Sequence, residues 1–80
     1  VNADDDQRAD DLERVLDEGD LARAIKMVRR WSSAHAGIAV GEVQARNDAH
    51  RAAATGSSTD PSKFTRRDEE LVQLRAAIEV

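Results

Sequence analysis

The chain has 80 residues, 12 basic and 16 acidic side chains, a net charge of −4 and no cysteine. Fourteen residues are alanine, while Leu, Ile, Val and Phe together number 16, so one thin core is expected, and a second domain or a large enclosed active site is excluded. The lack of cysteine rules out a disulfide framework, a thiolate zinc site and a cysteine nucleophile.

No apolar run is long enough to span a membrane, and no basic start followed by an apolar stretch marks a secretory signal. The expected location is cytoplasmic. Arg outnumbers Lys ten to two and alanine is the commonest residue, a bias expected of a GC-rich bacterial or phage genome. The acidic excess argues against a nucleic-acid binder. Val1 stands where methionine is usual, as expected of a trimmed end, a tag remnant or a GTG start codon copied literally.

In chain order, residues 1–6 form an acidic segment that need not be ordered. Ala9, Leu12, Val15 and Leu16 recur at helical spacing and predict a first helix over 5–18. Gly19 follows it, where a left-handed residue often closes a helix. Asp20 is a good N-cap for a second helix. Its stripe, Leu21, Ala24, Ile25, Val28, Trp31 and His35, is the most regular in the chain, with Gly37 as its expected end. The Gly-Asp joint predicts a tight antiparallel αα-hairpin.

Ile38, Ala39 and Val40 could form a strand, but no second strand is available to pair with it. Ala45, Ala49, Ala52 and Ala53 instead predict a helix over 38–54, with a small-residue face that another helix could approach closely. Residues 55–60 read as a linker. Asp60 and Pro61 suit an N-cap and first helical position, with Thr65 and Asp68 as a competing start. Leu71, Leu74 and Ile78, extended back by Phe64, predict a last helix from 62 or 66 to 79. The fold class expected is all-α: three or four short helices in a single domain over 1–80.

Around the joint, Gly19-Asp20-Leu21-Ala22-Arg23-Ala24-Ile25 resembles the hairpin joint of a tetratricopeptide repeat. The likeness covers only these residues, and no repeat follows at the corresponding period. It implies an αα-hairpin and no activity.

Chemistry is thinly represented. Ser32, Ser33, His35 and Asp48 are the residue types of a hydrolytic triad, but both serines fall inside a predicted helix with no nucleophile turn. His35 and His50 lack metal-ligand spacing, and Asp4-Asp5-Asp6 lacks the alternation of a calcium loop. The glycines form no phosphate-binding pattern. No catalytic residue, cofactor or metal is expected.

The leading expectation is a non-catalytic helical protein-interaction module, such as a regulator, an adaptor or an antitoxin-like neutraliser of a basic partner. Its partner-binding residues would be Met27, Trp31, Phe64, Leu71, Leu74 and Ile78, with Trp31 also the expected anchor of the core. Two alternatives stand beside it. One is a DNA-binding regulator that uses Arg23, Lys26, Arg29 and Arg30 in a helix-turn-helix-like arrangement. The other is a structural component of a phage particle or larger assembly. Self-association as a dimer is also expected. The burial available from eighteen large apolar side chains only approaches the cost of ordering the chain. Two apolar faces would be left for a second copy: Met27–Ala34–Ile38, and the stripe of the last helix.

Overall fold

A computed structural model describes residues 3–54 and 60–79. Among these the chain forms four α-helices, α1 (Ala3–Asp17), α2 (Leu21–Arg30), α3 (Ser33–Ala53) and α4 (Ser62–Glu79), with no strand. The all-α class is as expected. Of the linker expected over 55–60, only Asp60 lies within the described residues.

α1 begins at Ala3, two residues before the predicted start. Asp4, Asp5 and Asp6 occupy the first turn of α1, where the helix dipole favours negative charge. At the other end Gly19 has φ 79°. Its N–H donates to the Leu16 carbonyl at 3.0 Å, and the Asp20 N–H donates to the Val15 carbonyl at 3.2 Å. These two bonds make a full Schellman closure. The Asp20 carboxylate then accepts from the Arg23 N–H at 3.0 Å and opens α2. One residue thus ends one helix and caps the next.

α2 stops well before Gly37. Trp31 (ψ 158°) and Ser32 (ψ 155°) are extended, and Ser32 starts α3 by accepting from the His35 N–H at 3.2 Å. The regular stripe of residues 21–35 therefore spans two helices. A serine able to satisfy a free helical N–H outweighs a continuous apolar pattern at this point. Gly37 and Gly41 lie inside α3 and end nothing. The Ala45, Ala49, Ala52 and Ala53 face predicted for close helix contact is exposed. The close-packing alanines of α3 are Ala36 and Ala39, both fully buried.

α4 begins at the earlier of its two predicted starts. The Asp60 carboxylate accepts from the Ser62 N–H at 2.9 Å, a bond that holds its pKa below the usual range. The Pro61 carbonyl accepts from Thr65 at 3.3 Å.

The core forms where α3 packs against both α1 and α4 while α2 leans mainly on α4. Leu12, Val28, Val40, Val43, Leu71 and Leu74 are its largest fully buried side chains. Trp31 is not their anchor: it is half-buried and packs on the edge of the cluster, as do Met27 and Ile78.

Polar contacts fix the helices around this core. Arg46 on α3 reaches Asp10 at 2.8 Å and Glu13 at 3.0 Å on α1. Partial burial works against its charge, but the hydrogen bonds to Asp10 and Glu13 outweigh it and raise the pKa. Arg67 on α4 pairs with Asp17 on α1 and with its own-helix neighbour Glu70. Buried Asn47 donates to the Phe64 carbonyl at 3.1 Å and to Asp68 at 2.9 Å. Asp68 also accepts from Gln44 at 2.9 Å and pairs with Arg51.

Candidate functional site

The triad types do not converge. Ser32 is a helix cap, and its hydroxyl faces the backbone N–H of His35. Asp48 lies 13 residues further along α3, about 20 Å at the helical rise, and accepts from Gln44 at 3.1 Å. His35 and His50 are exposed on the same helix. Among the described residues no group of three or more His, Asp or Glu side chains could hold a metal ion. No helix of these residues is long and apolar enough to cross a membrane.

The expected partner-binding residues divide. Phe64, Leu71 and Leu74 are buried within the chain, so they offer no surface to a partner. Their stripe faces α4's own neighbours, because the helix folds back onto α2 and α3. Phe64 is further covered by Lys63 and Arg51, 5.0 and 5.8 Å from its ring centroid. Met27, Trp31 and Ile78 remain partly accessible. Among the described residues the large hydrophobic side chains left exposed are Ile38 and Val72. Ile38 belongs to the Met27–Ala34–Ile38 face expected to meet a second copy, whereas Val72 was not expected, since it lies off the main stripe of α4.

Charge separates the surface more clearly than apolarity does. All sixteen acidic residues lie outside α2, which carries Arg23, Lys26, Arg29 and Arg30 in ten residues. On α1, α3 and α4 most carboxylates hold an arginine of their own chain. On α2 only Arg23 has such a partner, Glu18 at 3.9 Å, with both side chains more than half exposed. Among the described residues Lys26, Arg29 and Arg30 have no carboxylate at ion-pair distance. A free cation of this kind interacts with whatever approaches, whereas a paired one is already largely neutralised.

These cations border a cleft. Between α1 and α2 lies a depression of about 430 Å³, with Arg23, Lys26, Met27 and Arg30 on the α2 wall and Asp11, Arg14, Val15 and Glu18 on the α1 wall. Arg29 lies elsewhere, beside Trp31, Ala77 and Ile78 in a second cleft of about 360 Å³. A larger depression of about 640 Å³ lies where α1, α3 and α4 meet. Most of its polar groups are already engaged, Arg67 with Asp17, Glu13 with Arg46, Asn47 with the Phe64 carbonyl and Lys63 over the Phe64 ring, while exposed His50 also lines it.

Comparison with family models, with curated proteins and with solved structures returns no match.

Proposed function

We propose that the chain is a non-catalytic helical protein-interaction module, a small regulator or adaptor, and that α2 is its docking face. The observation behind this reading is the set of unpaired cations on α2, beside partly accessible Met27, in a molecule whose other charges are mostly paired. It redirects the expectation drawn from composition. The acidic excess suggested a basic partner, but most carboxylates of α1, α3 and α4 are held internally. On α2 itself the uncompensated charge is basic, so the surface complementary to that helix is acidic.

Nucleic acid is the competing anionic partner. The N-terminal end of α2, which would enter a groove in a helix-turn-helix docking, is flanked by Glu18 and Asp20, both exposed. Those carboxylates would face phosphates.

The test is capture from the source lysate with the wild-type chain and with a Lys26→Glu/Arg30→Glu variant. Both positions are exposed, so the fold is expected to tolerate the change. A stoichiometric protein partner held by the wild type and lost by the variant supports the reading. A gel shift with duplex DNA whose affinity falls steeply with salt would move the assignment to a DNA-binding regulator.

A further inference from the structure

We infer that the cleft between α1 and α2 receives an acidic amphipathic helix of the partner, with carboxylates against Arg23, Lys26 and Arg30 and one apolar side chain against Met27. The inference rests on the reading of α2 as the docking face and adds the chemistry of what docks there.

Spacing is the first argument. Arg23, Lys26 and Arg30 stand at i, i+3 and i+7 on one face of α2 and all border the cleft. At the helical rise their steps along the axis are about 4.5 and 6 Å. A second helix lying alongside presents carboxylates at the same steps when it carries them at i, i+3 and i+7. An extended segment places same-face side chains about 6.6–6.8 Å apart and matches only the longer step.

The cleft wall is the second argument. Met27 sits among the three cations and is partly accessible, while Val15 at the floor is buried in the core. An apolar anchor surrounded by charges is the pattern by which grooves select amphipathic helices. On the α1 wall Asp11 and Arg14 hold each other at 3.2 Å, and Glu18 is more than half exposed. Glu18 repels acid on that side, so the incoming helix keeps its carboxylates toward α2 and its apolar residue toward the floor. A continuous phosphate backbone cannot confine its charge in this way, which favours the acidic helix over nucleic acid.

The experiment uses a labelled synthetic peptide of Ala, Glu and Leu, about 20 residues long so that it is helical alone. Glu occupies i, i+3 and i+7, and Leu occupies i+4. An isomer of the same composition has the same Glu and Leu residues scattered around the helix. Fluorescence anisotropy at low ionic strength is expected to show the ordered peptide binding about tenfold or more tightly than its isomer, a difference of about 1.4 kcal/mol. Lys26→Glu/Arg30→Glu should abolish that preference. Met27→Ala should weaken the ordered peptide and leave the isomer unaffected. Arg66→Glu, at an exposed cation of α4, should change nothing. Equal binding of the two peptides, an Arg66→Glu loss as large as that of the α2 pair, or tighter binding of a duplex oligonucleotide would each overturn the inference. If the peptide fails while lysate capture still depends on Lys26 and Arg30, the docking face stands and its ligand class is wrong. If capture is also indifferent to those residues, the underlying reading falls.

Discussion

The Asn47 amide gives one N–H to the Phe64 carbonyl and one to Asp68, from a position that is almost wholly buried. Removing it loses two hydrogen bonds at a buried site, together worth about 1–3 kcal/mol. Asn47→Ala should therefore lower the urea midpoint by that equivalent with an unchanged m-value. Asp68 adds a dependence on pH. Arg51 and then Gln44 hold its carboxyl below the usual carboxylate range. A group with a depressed folded-state pKa contributes its stability in full above the unfolded value, about 3.9 for aspartate. It loses that contribution as pH falls through the folded value. An acid titration followed by circular dichroism should show this limb, and Asp68→Asn should flatten it. Asn47 was legible in principle, because it continues the Ala36, Val40, Val43 face of α3 at helical spacing. A polar residue on a buried stripe signals a partner, but the partner's identity depends on how α4 crosses α3.

Glycine means different things in different elements here. Gly19 holds a left-handed conformation at the end of α1, and an added side chain there costs about 1–2 kcal/mol. Gly37 and Gly41 lie in the interior of α3, and a Cβ at either would meet nothing within 4 Å. Alanine at each should stabilise the chain by about 0.5–1 kcal/mol. Thermal melts of the three single variants should therefore shift in opposite directions, down for Gly19→Ala and up for the other two. The sequence pattern identifies Gly19 and Asp20 correctly because a cap needs only adjacent residues. It misjudges the end of α2 because Trp31 and His35 continue its stripe across a break. At that point Ser32 bonds locally to His35, and a periodicity argument gives little weight to a single serine. It also assigns Gly37 a terminating role that α3 does not require.

At the scale of the whole molecule, the consequence of burying Leu71 and Leu74 concerns assembly. The last helix was expected to offer its stripe to a second copy, yet both leucines are fully buried against the chain's own helices. With that face covered, pairing with a second copy is left to the Met27–Ala34–Ile38 face, where Ala34 and Ile38 are exposed. A melting temperature that rises with concentration across a wide dilution series is expected if that face pairs, and one that Ile38→Asp makes independent of concentration would place the contact there. The all-α class was legible because every helix carries an apolar stripe and the joint at Gly19 and Asp20 announces itself locally. Which helix covers which was not, since α4's stripe reads the same against α2 and α3 as against another molecule. The charge pattern was half legible. The basic residues of α2 stand out in the sequence, but whether each finds a carboxylate depends on contacts such as Arg46 to Asp10 and Arg67 to Asp17, which are remote in sequence.

Asp20 belongs to two helices at once, closing α1 through its N–H and opening α2 through its carboxylate. α2 has only ten residues, fewer than the roughly 12–15 an isolated helix needs to hold together in water. It therefore has no independent opening reaction, and the joint ties its first turn to the last turn of α1. In hydrogen–deuterium exchange the amides of Gly19, Asp20 and Arg23 should open as one cooperative unit. Asp20→Ala should speed exchange through the whole of α2 while leaving the middle of α3 protected. The basic face of α2 therefore has two supports, α4 across the core and α1 through the joint, and any process that unravels the acidic N-terminal helix removes one of them and loosens the proposed docking face.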